Sequence, residues 1–311
     1  MPWTNIPLND GTGTSIPSLA FGTAGLEDPA GTVEQALSLG VNHIDTAQIY
    51  GNENEAGVGI RDSALPRDEL YVTTKFSGGG PELKSIKESF QDSLDKLGTT
   101  YIDLYLIHSP RWAQPDIPSA WKELEDIRGR PGQDLTILLA SAKVKPAVNQ
   151  ILLHPYVFAQ QKPILEFSKK HGIVIEAYSP LMFVDLTFLH ITRLMQYSPL
   201  RRNPGGPLDK PVQEIATRLG VTPEQVLLAW TKAKGAVVIT TSTKKERVLG
   251  YLHAGDLELT EEDIAAIDTA GALGLPLTFS GVSVSRSHAR ALALFFIFGL
   301  VLLVLIKRIS I

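Results

Sequence analysis

Cysteine is absent from the 311-residue chain. That excludes a disulfide framework, a thiolate nucleophile and any zinc–cysteine centre, and it is compatible with the cytosol. Metal-ligand spacings such as H-E-x-x-H are missing too, and the seven histidines are scattered, so no metal site is read. Charge of one sign is not in excess. Lys and Arg number 29 against 33 Asp and Glu, a formal net charge of −4. Without a long basic stretch, or basic residues interleaved with aromatics, nucleic acid is not expected as a partner. The opening Met1-Pro-Trp-Thr-Asn-Ile-Pro-Leu-Asn-Asp10 lacks the basic and apolar regions of a signal peptide. It reads as a short hairpin with Asn9-Asp-Gly11 at the turn.

What is present is a repeated strand–helix order. Strand-like runs begin at Ser18, Val41, Leu70, Ile102, Pro146, Gly172 and Ala236, with helix-like stretches between them. Such alternation implies parallel strands in an α/β fold, and the length suits one (βα)8 barrel with additions. Four polar residues fall at or just past strand ends: Asp45, Tyr50, Lys75 and His108. In a (βα)8 barrel the C-terminal strand ends converge on one mouth, so these four can meet although they lie far apart in sequence.

Together they suit proton transfer to a carbonyl oxygen. A phenol with an ordinary pKa near ~10 is a poor acid at neutral pH. A nearby ammonium is expected to favour the phenolate and lower that value. A carboxylate beside the ammonium would keep it charged and oriented, and an imidazole could hold the substrate oxygen in line. Taken singly, each has a plainer explanation: a paired surface lysine, a structural histidine, a loop-anchoring tyrosine. The combination in this order is what carries the chemical reading.

The chain resembles the aldo-keto reductases. The resemblance rests on Gly40-Val-Asn-His-Ile-Asp-Thr-Ala-Gln-Ile-Tyr-Gly-Asn-Glu53, Val72-Thr-Thr-Lys75, Asp103-Leu-Tyr-Leu-Ile-His108, Val148-Asn-Gln150, His154-Pro-Tyr156 and Ala177-Tyr-Ser-Pro-Leu181, and spans roughly residues 5 to 270. It implies a (βα)8 barrel that binds a nicotinamide dinucleotide without a Rossmann domain; the lack of G-x-G-x-x-G after the first strand fits that. By resemblance the proton donor is Tyr50, aided by Lys75 and Asp45, and His108 orients the substrate. Tyr178 would stack under the nicotinamide and Gln150 would hold its carboxamide. Gly22, Thr23, Asp45, Ser179 and Leu181 complete that end of the cofactor site, and the N-terminal hairpin would plug the barrel floor. Ser242, Thr243 and Arg247 would bind the adenosine end, with Lys244 and Lys245 close by. Thr241 and Gly250-Tyr251 stand where the family has a lysine and a Glu-Asn pair. NADPH is therefore expected rather than NADH. Without the resemblance, Lys244-Lys245-Glu246-Arg247 reads equally well as a solvated helix start.

Three features depart from that pattern. Helices are expected over Ser119–Ile127 and Asp134–Ala142, with only Arg128-Gly-Arg-Pro-Gly-Gln133 between them. Six Gly- and Pro-rich residues cannot supply a central strand, so the barrel is expected to lack one strand and the Ser-Asn pair that the family places there. An open barrel leaves two strand edges unpaired. Tyr178-Ser-Pro-Leu181 is repeated as Tyr197-Ser-Pro-Leu200 around an apolar insert, which reads as a lid helix or as imperfect splicing. Finally, residues 291–306 are all apolar, with Lys307-Arg308 after them. As a helix they span about 24 Å at ~1.5 Å per residue, slightly short for a ~30 Å bilayer core; a buried core segment is the alternative.

The resulting expectation is an aldo-keto reductase-type barrel over residues 1–280, a linker over 281–290 and a single membrane tail anchor over 291–306, with the catalytic domain in the cytosol. The expected activity is NADPH-dependent reduction of an aldehyde or ketone. The rival readings are a cofactor-binding subunit that regulates a membrane partner without turnover, and an inactive product of an imperfect gene structure. The substrate is not legible; Trp112 and Trp3 are candidates to line its pocket.

Overall fold

The computed structural model describes residues 3–9, 13–78, 85–127, 145–181 and 206–274, together with the backbone of 277–279 and 282–284. Strands β1 (Asn5–Pro7) and β2 (Ser15–Pro17) form an antiparallel hairpin in which Ile6 faces Ile16. Seven parallel strands follow: β3 (Leu19–Gly22), β4 (His43–Asp45), β5 (Tyr71–Phe76), β6 (Leu104–Ile107), β7 (Val148–Leu152), β8 (Val174–Tyr178) and β9 (Val237–Thr240). They lie in the order β6-β5-β4-β3-β9-β8-β7. Each begins inside one of the seven expected runs, and β5 and β7 run one residue past the expected ends. β6 and β9 are apolar on both faces because a parallel sheet with helices outside it is covered on both sides.

The helices begin and end on local chemistry. In α1 (Pro29–Ser38) Asp28 caps the Gly31 N–H and proline occupies the first turn. α2 spans Glu53–Asp62. α3 (Ile86–Leu97) opens with a reciprocal Ser85–Glu88 capping box and stops at Gly98, whose φ of 65° few other residues adopt cheaply. Next come α4 (Ile117–Ile127), α5 (Pro155–His171), α6 (Asp209–Leu219), α7 (Pro223–Ala233), α8 (Lys245–Ala254) and α9 (Glu261–Ala272). Thr222–Gln225 and Thr260–Asp263 boxes cap α7 and α9.

Two apolar layers hold the sheet. Between sheet and helices lie Phe21, Ile44, Leu97, Trp230 and Val238; each large aliphatic or aromatic side chain buried there contributes roughly 1.5–3 kcal/mol. Inside the curve lie Ile16, Ala20, Leu106, Val148, Val174 and Val237, with Ile6 and Leu8 of the hairpin packed on them. The hairpin therefore plugs that end, as expected. Trp3 is no pocket residue: its indole donates at 3.0 Å to Tyr251 O and Leu252 O, fastening the N-terminal segment to α8.

β6 and β7 end the described sheet, and no strand pairs with their outer edges among the described residues. The expected strandless junction at 128–133, the helix at 134–142, the insert and repeat at 182–200 and the apolar run at 291–306 all lie outside the described residues. Among the described residues no helix is long and apolar enough to cross a membrane. A short antiparallel hairpin, β10 (Leu277–Phe279) with β11 (Val282–Val284), straddles the boundary expected at residue 280.

Candidate active site

Three consecutive parallel strands and their following turns bring the four expected residues together. Asp45 ends β4, Tyr50 ends a single 3₁₀ turn (Gln48–Tyr50) just beyond it, Lys75 lies in β5, and His108 follows β6. Lys75 Nζ donates to Asp45 Oδ1 at 2.6 Å, to Thr46 O at 2.8 Å and to Tyr50 OH at 3.4 Å. Asp45 and Lys75 are 2% and 1% exposed, so the pair is held in a low-dielectric interior, where its mutual attraction is strong. The Tyr50 and His108 rings meet edge to face at 5.5 Å between centroids. His108 Nδ1 lies 3.0 Å from Ser77 Oγ.

Burial reverses one expectation. It raises the Tyr50 pKa above the ordinary phenol value; Lys75 pulls downward but burial outweighs it, and Asp45 adds to the rise. Tyr50 therefore keeps its proton at neutral pH. For Lys75, burial works to lower the pKa, but Asp45 first and Tyr50 second more than offset it, so the net shift is upward and the ammonium stays charged. His108 is pushed down to about 4, first by burial and then by the Lys75 charge. At pH 7 it is a neutral imidazole.

A second set of polar groups lies in the sheet interior beside this one. Gln150 Nε2 donates to Asp45 Oδ2 at 2.9 Å and to Glu176 Oε2 at 3.1 Å. Glu176 is fully buried, and its Oε1 has no hydrogen bond among the described residues. His43 Nδ1 faces Pro17 O at 3.3 Å, so that nitrogen carries the proton; Nε2 then accepts from Thr73 Oγ1 at 2.8 Å. Glu176 Oε1 lies 3.8 Å from that acceptor nitrogen. Burial, and then the Asp45 charge, raise the Glu176 pKa toward neutrality, which matches a site better suited to the uncharged acid. Glu176, His43 and Ser77 escaped the sequence reading. The available signal was period two: His43 with Asp45, Lys75 with Ser77, and Glu176 with Tyr178 each share a strand face.

The expected cofactor residues divide into groups. Tyr178 ends β8 and is 38% exposed. Ser179 follows with φ 55°, a strained backbone for an L-residue, costing on the order of 1 kcal/mol or more. Gln150 and Asp45 are joined as above. Gly22 ends β3, where an added Cβ would press Ile239 at 3.3 Å. Thr23 is wholly buried, its hydroxyl donating at 2.8 Å to Thr46 and its carbonyl accepting at 2.8 Å from Asn52. Leu181 is buried in the outer apolar layer. Ser242, Thr243 and Arg247 lie beyond β9, where Ser242 Oγ accepts from Lys244 N at 3.1 Å as α8 begins at Lys245. Trp112 packs on Gly78, just past Ser77.

These residues fit a nicotinamide dinucleotide. Thr241 Oγ1 is buried and has no partner among the described residues. Beside it Lys244 and Lys245 are exposed at a helix start, with Arg247 in the first turn, a donor set of the chemistry phosphate needs. Among the described residues no His, Asp and Glu cluster could hold a metal ion.

A buried carboxylate–ammonium pair with a half-buried phenol beside it, at the C-terminal ends of a curled parallel sheet, suits proton transfer in an oxidoreductase of the barrel class. Residues 18–272 match the Aldo/keto reductase family, and the chain belongs to it. It is 34% identical to the NAD/NADP-dependent indole-3-acetaldehyde reductase of Schizosaccharomyces pombe over 82% of this chain and 91% of that one. It is 35% identical to the morphine 6-dehydrogenase of Pseudomonas putida, covering 84% and 90%. Among solved structures, an aldo-keto reductase of Bombyx mori in complex with NADP superposes with a TM-score of 0.72 at 30% identity, covering 86% of this chain and 92% of that one.

Proposed function

We propose that the chain reduces aldehydes or ketones to alcohols with Tyr50 as proton donor, using NADPH in preference to NADH. The observation that carries this is the line from Asp45 through Lys75 to Tyr50, with hydrogen-bond distances of 2.6 and 3.4 Å. When bound, the reduced nicotinamide supplies a hydride to the carbonyl carbon. Tyr50, still protonated at neutral pH, gives its phenolic proton to the oxygen as negative charge develops there. Lys75 stabilises the phenolate left behind, because its ammonium lies within hydrogen-bond reach of that oxygen. Asp45 holds Lys75 in place and keeps it charged. His108, neutral and beside the phenol, offers a ring N–H that fixes the carbonyl oxygen before the proton moves. The NADPH preference rests on Arg247, Lys244 and Lys245 at the start of α8, which suit an added phosphate.

The test is NADPH consumption with a panel of aldehydes and ketones for the parent chain and Tyr50→Phe. Loss of general-acid catalysis is typically worth about 10²–10⁴-fold. The variant should lose at least about a hundredfold in kcat on that basis, while NADPH still quenches its tryptophan fluorescence. A Phe variant that turns over at the parent rate removes Tyr50 from the role.

Location is part of the same proposal. Residues 291–306, sixteen consecutive apolar residues, would hold the enzyme on a membrane with its barrel on the cytosolic side.

A further inference from the structure

Ser77 stands between the proton donor's turn and the imidazole. It is 5% exposed and lies two positions after Lys75, one past the end of β5. Its backbone N–H donates to Gln48 Oε1 at 3.1 Å. Gln48 is itself tied through Nε2 to Ser89 O at 2.9 Å and to Ser93 Oγ and Tyr105 OH at 3.1 Å. The Ser77 hydroxyl therefore sits on a fixed support. Three groups lie within its reach: His108 Nδ1 at 3.0 Å, Ile49 N at 3.3 Å and Lys75 O at 3.5 Å. Ile49 is the residue before Tyr50, so one oxygen joins the phenol's turn to the histidine ring.

Proton counting decides how that oxygen is used. A hydroxyl has one proton to give and two lone pairs; a neutral imidazole has one N–H and one lone pair. The Ile49 N–H already donates to Ser77 Oγ. In one arrangement the hydroxyl donates to Nδ1 and the ring proton lies on Nε2. In the other, Nδ1–H donates to the hydroxyl, which then accepts twice and can give its own proton only to Lys75 O at 3.5 Å, the outer limit of a hydrogen bond. The first arrangement satisfies every group at better distances. Burial and the Lys75 charge keep His108 neutral in either arrangement, so the distances decide between them.

We propose that Ser77 is a positioning residue: its hydroxyl holds His108 with the proton on Nε2, so that Nε2–H is the donor that fixes the substrate carbonyl oxygen. This rests on the reading of the chain as a carbonyl reductase. The role belongs to this chain's own serine and to the distances around it. Without the hydroxyl the ring is free to take its other tautomer and to rotate. Nε2 then faces the carbonyl with a lone pair for part of the time.

The experiment uses the full chain with histidine labelled at both ring nitrogens, studied by NMR at pH 7.5, alongside steady-state kinetics. Three proteins are compared: the parent, Ser77→Ala and Ser77→Thr, which keeps a hydroxyl. The parent should show Nε2 protonated and Nδ1 unprotonated at His108. Ser77→Ala should show a tautomer mixture and lose about tenfold in kcat, the size of one neutral hydrogen bond, with NADPH affinity unchanged. Ser77→Thr should restore both the ring signature and most of kcat. A parent His108 protonated on Nδ1 overturns the proposal. So does a Ser77→Ala protein with the parent's tautomer and kcat. If Ser77→Ala does not fold, the parent's ring assignment and the Ser77→Thr protein still decide between the two arrangements. A parent that reduces no carbonyl at all removes the functional reading instead, and the ring signatures still report separately whether Ser77 governs His108.

Discussion

Replacing Lys75 by methionine keeps the volume of the side chain and removes its charge from the centre of the site. The Asp45 carboxylate, 2% exposed, then keeps Gln150 Nε2 at 2.9 Å as its side-chain hydrogen-bond donor among the described residues. Deleting one partner of a buried ion pair leaves an uncompensated charge and typically costs about 3–5 kcal/mol. Against a net stability of about 5–15 kcal/mol, that is a large fraction but not the whole. Urea denaturation followed by tryptophan fluorescence should read it as a midpoint drop of about 1–3 M. Asp45→Asn alone should also destabilise, by stranding the ammonium. The double variant Asp45→Asn/Lys75→Met buries no unpaired charge, so it should be more stable than the sum of the single losses by about 0.5–3 kcal/mol. Its carbonyl reduction should stay lost, because Tyr50 no longer has an ammonium at 3.4 Å to hold its phenolate. Stability and activity thus separate in one cycle. Strict additivity of the two single losses, or a Lys75→Met protein with the parent's midpoint, would refute the reasoning.

The interior pair should give stability an opposed pH dependence. His43 is lowered to about 4 by burial, so its stabilising share is full above the unfolded value of 6.5 and is lost as pH falls toward 4. Glu176, facing Asp45, Lys75, Gln150 and His43, is raised, so its share is full below the unfolded value of 4.5 and is lost as pH rises toward neutrality and beyond. Glu176→Gln should therefore flatten the decline in thermal midpoint between pH 4.5 and about 8; identical profiles in parent and variant would contradict it. Arg247→Ala should narrow the gap between NADPH and NADH dissociation constants measured by fluorescence titration, and equal constants in the parent would dismiss the phosphate site. The full chain should sediment with membranes and resist carbonate washing, whereas a chain ending at Ser283 should not; a full chain that stays soluble without detergent would count against the anchor.

How far the sequence reaches depends on which physical property each residue expresses locally. The seven strands are legible because parallel strands covered on both faces read as largely apolar runs, each with a polar residue at or near its end. Asp45, Lys75 and His108 are legible because they are those stops. Glu176 is not: a carboxylate inside Ile173-Val-Ile-Glu-Ala-Tyr178 shows nothing of the glutamine on the neighbouring strand that accommodates it. Ser77 sits before Gly78-Gly-Gly80 and reads as a loop residue, since its partners His108 and Ile49 come from other segments. The direction of the Tyr50 shift departs from the expected one for a related reason. The ammonium beside it can be inferred from the motif, but the degree of burial that outweighs it is a property of the folded sheet alone.

The position of β3 has a consequence for how the site comes into being. β3 is made first among the parallel strands yet pairs on one side with β9, the last of them, through Leu19 with Val238 and Phe21 with Thr240. The Asp45–Gln150 hydrogen bond spans 105 positions, and the Trp3–Tyr251 bond spans 248. Contacts so far apart in sequence form only once both partners have been made, and folds dominated by them assemble slowly. All four reacting groups lie between residues 45 and 108, so they exist early, but the edge of β3 beside them stays open until the final strand arrives. Reactivity is therefore expected late in the life of each polypeptide, once β9 has been made and has paired with β3.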